Sequence, residues 1–215
     1  MGRSGYLGHC ASYRPISLLC NDVKILSAII AKRLQKIINK LINPDQTGFI
    51  PGRLGINIRR TLNIISTAQS QSHPSMLLGL DAEKAFDRVD WLFLGQVLSK
   101  MGFDETFIEW FEVLYKNPTS RVRVNGHISD SFPLKRGTRQ GCCLSPILFA
   151  ISIEPLAELI RNNPLILGIS DKTKDHKLAL YADDVILYIR NPSTSIPELL
   201  KLLKDFGVAS GYKVN

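Results

Sequence analysis

Cysteine is scarce in this chain, and the four present, Cys10, Cys20, Cys142 and Cys143, form no C-x-x-C pair. With four scattered histidines they offer no zinc-ligand spacing, so free thiols in a reducing compartment are expected. Cys142 and Cys143 are adjacent and read as small buried residues rather than a redox pair. A continuous run of about 18 apolar residues is missing too, which excludes a helical membrane span. The opening Met1-Gly2-Arg3-Ser4-Gly5 lacks an apolar signal core, so secretion is not expected. Internal repeats and low-complexity tracts are absent. Acidic residues are nearly missing from the first 60 positions, where 10 Lys and Arg stand against 2 Asp and Glu; residues 61–215 hold 17 of each sign. The net charge of +8 is therefore confined to residues 1–60. Such an excess suits either a polyanionic partner, whose counterions it would release, or a solvated basic face.

What the chain does have is enough apolar sequence for a core. It has 215 residues, 45% apolar and 21% charged, as one large domain or two small ones. Its most informative stretch is Tyr181-Ala182-Asp183-Asp184, two adjacent carboxylates between the strand-like runs Leu178–Tyr181 and Val185–Ile189. Adjacent acids repel and are poor strand formers, and an ordinary hairpin tip prefers Asn-Gly or Asp-Gly. A divalent cation removes the difficulty by taking carboxylate oxygens as ligands. The alternative is a solvated acidic turn.

A second acidic site lies where Ser75–Leu80, read as a short buried strand, runs into Asp81-Ala82-Glu83-Lys84-Ala85-Phe86-Asp87. A carboxylate at the end of a buried strand is costly unless paired, solvated or metal-bound. Two strand-end acid clusters from separate segments suit a pair of metal ions roughly 3.5–4 Å apart. Between them lies Lys135-Arg136-Gly137-Thr138-Arg139-Gln140-Gly141-Cys142-Cys143-Leu144-Ser145-Pro146. Its glycines permit close backbone approach, and its basic residues and glutamine offer donors to a phosphate or a base edge. Ser145-Pro146 predicts a helix start with serine as N-cap and proline at the first helical position.

Elsewhere the pattern is mixed α+β. A long helix is predicted from an N-cap at Asn21 or Asp22 to Pro44, with Leu26, Ile30, Leu34, Ile37 and Leu41 as its apolar stripe and Lys32, Lys36 and Lys40 on another face. A second is predicted over Ile58–Ser70, and a polar linker over Gln69–Ser75. Asp90 and Asp104 read as N-caps of two further helices, the second burying Phe107, Ile108, Phe111, Leu114 and Tyr115. Arg121-Val122-Arg123-Val124 followed by Asn125-Gly126 predicts a hairpin whose arginines face nucleic acid or water. A last helix is predicted over Ser195–Ala209.

The order LDAEKAFD, RGTRQGCCLSP and YADD resembles the palm of a reverse transcriptase. YRPISLLCNDVKILSAIIAKRL and DQTGFIPGR resemble the finger motifs of non-LTR (LINE-type) retrotransposon polymerases, and the final SGYKVN resembles the start of the next palm motif. The resemblance runs from Tyr13 to Asn215. It implies a right-hand polymerase fold of class α+β, fingers plus palm, with an antiparallel palm sheet packed on helices. Residues 1–12 would be an irregular tail, 13–75 fingers and 76–215 palm, with 119–136 a fingers-side hairpin. The chain ends before the lysine expected beyond Asn215, before the primer grip and before the thumb. A truncated or decayed fingers–palm fragment with the thumb absent is therefore expected.

The resemblance also implies RNA-directed DNA polymerase activity: template-directed addition of deoxynucleoside triphosphates to the 3′-hydroxyl of a DNA primer on an RNA template. Two Mg²⁺ ions, replaceable by Mn²⁺, would be held by Asp81, Asp183, Asp184 and the carbonyl of Ala82. Phe86 would close the pocket under the sugar and exclude a 2′-hydroxyl, or else be a plain core residue. Gln140 and Gly141 would line the nucleotide pocket. Arg59 would grip the triphosphate, with Arg53 as competitor and Arg60 a possible surface residue. Cys143 departs from the family, which usually has proline there. No membrane partner is expected; the compartment stays open, with nucleus and cytoplasm both compatible with a retroelement product. Two alternatives remain: an inactive nucleic-acid-binding remnant of a retroelement, and an RNA-directed RNA polymerase, against which Phe86 and the RQGCCLSP loop argue.

Overall fold

The structure is a computed structural model that describes residues 15–171 and 174–215. The expected tail over residues 1–12, and Tyr13 and Cys10, lie outside the described residues. The chain opens with helices α1 (Asn21–Leu34), α2 (Ile38–Leu41) and α3 (Ile56–Gln69), then strand β1 (Ser75–Leu80). Helices α4 (Ala85–Arg88), α5 (Trp91–Lys100) and α6 (Glu105–Tyr115) follow. Four two-residue strands come next: β2 (Thr119–Ser120), β3 (Arg123–Val124), β4 (His127–Ile128) and β5 (Phe132–Pro133). Then come α7 (Ser145–Asn162), β6 (Ile169–Ser170), β7 (Asp175–His176), β8 (Leu178–Tyr181), β9 (Asp184–Arg190) and α8 (Pro192–Ser210).

The central sheet is antiparallel, with strand order β1-β9-β8. Helix α7 is the axis of the core: Leu148, Phe149, Ala150, Ile151, Leu156 and Ile160 on it are buried, and it packs on α5, α8 and β8. Where sequence chemistry is local, the elements form as it dictates. The Asp90 carboxylate accepts from the Phe93 amide at 2.9 Å and that of Asp104 from Phe107 at 2.8 Å, capping α5 and α6. Asn125 and Gly126 both take positive φ, 50° and 85°, as a type I′ turn requires between β3 and β4.

Several expectations are corrected. The long first helix is two helices with a break at residues 35–37, its N-cap is Cys20, and Cys20 makes no side-chain cap bond. Its buried face is Ser27, Ile30, Ala31 and Leu34, so the stripe is turned from the predicted one and Leu26 and Ile37 stand exposed. β1 is half exposed rather than buried, because it is an edge strand with Leu77 facing outward. The N-cap of α7 is Leu144, one residue before Ser145, and it makes no side-chain cap bond. Cys142 is buried as predicted, whereas Cys143 is exposed.

Candidate active site

The register of β1 on β9 builds the site. Leu80 pairs with Val185, so the sheet ends with Asp81 next after β1 and Asp184 at the start of β9. Tyr181 pairs with Asp184 across β8 and β9, which leaves Ala182 and Asp183 as the two residues of the hairpin tip. Asp81, Asp183 and Asp184, from segments about a hundred residues apart in sequence, thus lie at the same end of the sheet. All three carboxylates raise the pKa of the neighbouring Tyr212 phenol, though its burial raises it more.

The segment after α8 returns to the acids. Ala82 bridges antiparallel to Val214 through bonds from Glu83 N to the Lys213 carbonyl at 2.8 Å and from Asn215 N to the Asp81 carbonyl at 2.9 Å. The Ala82 carbonyl itself takes no part in that bridge. Asn215 Nδ2 donates to Asp81 Oδ2 at 2.9 Å. Lys213 at 2.6 Å and Arg88 at 3.3 Å hold the Glu83 carboxyl below its usual range, Lys213 contributing more.

Among the described residues no group of three or more His, Cys, Asp or Glu is close enough to hold a metal by itself. The donors nonetheless fit a hard divalent ion, since all are carboxylates. Mg²⁺ in particular is commonly bound by one or two carboxylates with water and substrate phosphates, not by an all-protein cage. The set is therefore chemically suited to an ion that a nucleotide would complete.

The hairpin tip is held from behind. Ala182 is buried at φ 57°, a left-handed conformation that costs a non-glycine residue about 1–2 kcal/mol. Gln46, 0% exposed, accepts the Ala182 amide at 3.1 Å and the Gly48 amide at 2.8 Å on Oε1, and Nε2 donates to the Ala182 carbonyl at 3.4 Å. Gly48 crosses the tip so closely that a Cβ there would lie 2.1 Å from the Ala182 nitrogen. Beside it, the Thr47 amide and the Asn57 Nδ2 both donate to the Leu180 carbonyl, at 2.9 and 2.8 Å. Asp45 is in turn gripped along one edge of the Arg161 guanidinium, by Nε at 2.8 Å and Nη2 at 2.8 Å. The DQTGF motif contains Asp45, Gln46, Thr47 and Gly48, but its sequence carries no signal of this role, because their contacts to the hairpin tip are long-range.

The loop over residues 135–145 lies against Phe86 and Asp87. Thr138 N donates to the Phe86 carbonyl at 2.7 Å, and a Cβ on Gly137 would lie 2.9 Å from the Asp87 carbonyl oxygen. The Asp87 carboxyl is pushed up by burial, against the pull of Lys84 and a hydrogen bond with Gln140. Gln140 is half-buried and its carbonyl accepts from Ser17 N at 2.9 Å; Gly141 is exposed. Phe86 is half-buried, stacked on Phe149 with ring centres 4.9 Å apart, and Phe49 meets it edge-on at 6.1 Å.

The arginines separate clearly. Arg53 is buried and donates to the carbonyls of Asn39, Ile42, Asn43 and Gln46 at 3.0, 2.9, 2.6 and 3.0 Å. Its guanidinium is committed to the backbone, so it is not available as the competing triphosphate ligand. Arg60 donates to the Leu178 carbonyl rather than lying free on the surface. Arg59 is exposed.

Comparison with known proteins shows the family. Residues 4–215 match the family described as reverse transcriptase (RNA-dependent DNA polymerase). The chain is 32% identical over 216 residues to the transposon TX1 uncharacterized 149 kDa protein of Xenopus laevis, covering 99% of this chain and 16% of that protein. It is 28% identical over 216 residues to the retrovirus-related Pol polyprotein from type-1 retrotransposable element R2 of Popillia japonica, covering 99% and 30%. With the RNA-directed DNA polymerase from mobile element jockey of Drosophila melanogaster it shares 28% over 185 residues, 85% and 19%. The chain thus spans less than a third of the length of these relatives. Apo telomerase from Candida tropicalis shares the fold alone, with TM-score 0.56 at 14% identity over 90% of this chain and 35% of that one. A match along nearly the whole chain places the protein in the reverse transcriptase family.

Proposed function

We propose that the chain is the fingers and palm of a non-LTR retrotransposon polymerase that adds deoxynucleotides to a DNA primer 3′-hydroxyl on an RNA template. The observation that carries the reading is the register of β1 on β9, which ends with Asp81 next after Leu80 and Asp184 next before Val185, with Asp183 at the tip. Asp81, Asp183, Asp184 and the Ala82 carbonyl would hold two Mg²⁺ ions. When bound, the ions would activate the hydroxyl for attack on the α-phosphate and neutralise charge on the leaving pyrophosphate. Phe86, braced on Phe149, would form the floor under the deoxyribose and leave no room for a 2′-hydroxyl. Gln140 and Gly141 would flank the incoming nucleotide. Arg59 has an exposed guanidinium to offer the triphosphate, which it would meet with paired hydrogen bonds. The exposed lysines of α1 and the residues after it, Lys24, Lys32, Lys36 and Lys40, give the template backbone a basic face. Residues 13–75 would be fingers and 76–215 palm, with 119–136 leaning to the fingers side.

Primer extension on an RNA template tests the reading, with Mg²⁺ and then Mn²⁺, beside Asp183→Asn and Phe86→Val. Extension by the wild type is expected, abolished in Asp183→Asn, with ribonucleotide acceptance raised about tenfold or more in Phe86→Val. Normal extension by Asp183→Asn would sink the assignment. A folded wild type that binds RNA but extends nothing would favour the nucleic-acid-binding remnant.

A further inference from the structure

We infer that Gln46 is a positioning residue for the proposed metal site: its amide sets the backbone of Ala182 and thereby the direction of Asp183 and Asp184. The inference rests on the polymerase reading of those acids. The two-residue tip between Tyr181 and Asp184 has no Gly or Asn at the position that needs positive φ; it has Ala182, at φ 57°. Nothing local in the tip's sequence favours that backbone. The side chain that meets it is Gln46, which bonds both the N–H and the C=O of Ala182. Its orientation is fixed, because Oε1 accepts two backbone amides and the nitrogen would have to face both if the group were flipped.

The clamp is anchored independently of the acids it serves. Asn57 donates to the Asp45 carbonyl at 2.9 Å and Arg161 holds the Asp45 carboxylate, so the finger segment is fixed to α7 and α3 before it reaches the hairpin. Asp183 follows Ala182 directly, and Asp184 begins β9. A change in the Ala182 peptide therefore re-aims both carboxylates.

The test measures Mn²⁺ binding to the whole chain by electron paramagnetic resonance, with primer extension beside it. Gln46→Met keeps the length of the side chain and removes both bonds to Ala182. It is expected to bind Mn²⁺ at least about tenfold more weakly, and to lose kcat with little change in the KM for deoxynucleotide. Adding Ala182→Gly is expected to recover a large part of the Mn²⁺ affinity, since glycine holds positive φ unaided. Thr47→Val removes the neighbouring bond from Thr47 Oγ1 to the Leu180 carbonyl, 3.2 Å, and the one Thr47 Oγ1 accepts from Asn57 Nδ2, 3.0 Å, but neither bond to Ala182; it is expected to lower the melting temperature while Mn²⁺ affinity stays. Unchanged Mn²⁺ affinity in Gln46→Met, no recovery with Ala182→Gly, or an equal loss in Thr47→Val would each overturn the inference. Amide exchange on the wild type keeps it testable if Gln46→Met does not fold: Ala182 N–H is expected to be protected like the β9 amides, and rapid exchange overturns the clamp. A wild type that binds no Mn²⁺ overturns the polymerase reading and this role together. Binding in the wild type that Gln46→Met retains in full overturns this role alone.

Discussion

At the scale of single residues, two arginines six positions apart have opposite fates. Arg53 turns inward and satisfies carbonyls that the break between α2 and α3 leaves without helical partners. Burial lowers its pKa against the pull of Glu154 and Asp45. Arg53→Met is expected to cost about 3 kcal/mol or more, since it strips a charged donor from several buried acceptors. Arg59→Ala is expected to leave stability within about 0.5 kcal/mol, as for an ordinary surface change. It is expected instead to raise the apparent KM for nucleotide. Urea denaturation of both variants beside nucleotide titration checks the pair; the reverse pattern would exchange their assignments.

At the scale of elements, the contact between residues 45–49 and the hairpin of β8 and β9 is the tightest backbone approach at the site. Gly48→Ala would place a methyl against the Ala182 nitrogen, with main chain on both sides and no rotamer to yield. A loss of about 1–3 kcal/mol is expected, read as a lower denaturation midpoint with a falling extension rate. This contact also marks where legibility stopped. The β8–β9 hairpin, the aspartate caps of α5 and α6 and the turn at Asn125-Gly126 were readable because each rests on a neighbour a few residues away. The strand-end positions of the three acids were readable from the apolar runs beside them. The roles of Gln46, Gly48, Asn57 and Arg161 were not, since each is set by a partner more than ten residues away and in most cases more than a hundred. The interruption at residues 35–37 was hidden because the apolar spacing continues through it while the buried face turns.

At the scale of the whole molecule, α7 joins the parts. Tyr115 at the end of α6 stacks against Trp91 and Phe111, with the Arg139 guanidinium 4.9 Å above its ring. Burial pushes its phenol up to about 12 from an ordinary 10.0. The unfolded chain therefore releases this proton first. Its contribution to stability is complete below pH 10 and is lost as pH rises towards about 12, at roughly 1.4 kcal/mol per unit. Urea midpoints across that range are expected to fall, and to fall less steeply in Tyr115→Phe. A variant with the same slope would show that the phenol titrates freely.

The closeness of Gly48 to Ala182 reaches beyond stability, to how such chains can be recombined. A hairpin with a bulkier or differently turned tip, transplanted from a relative, would meet a strip of backbone that leaves it no clearance. The strip and the tip must be inherited or exchanged together, although more than a hundred residues of sequence separate them. A library that randomised the hairpin alone would be filtered by a segment its designer never touched.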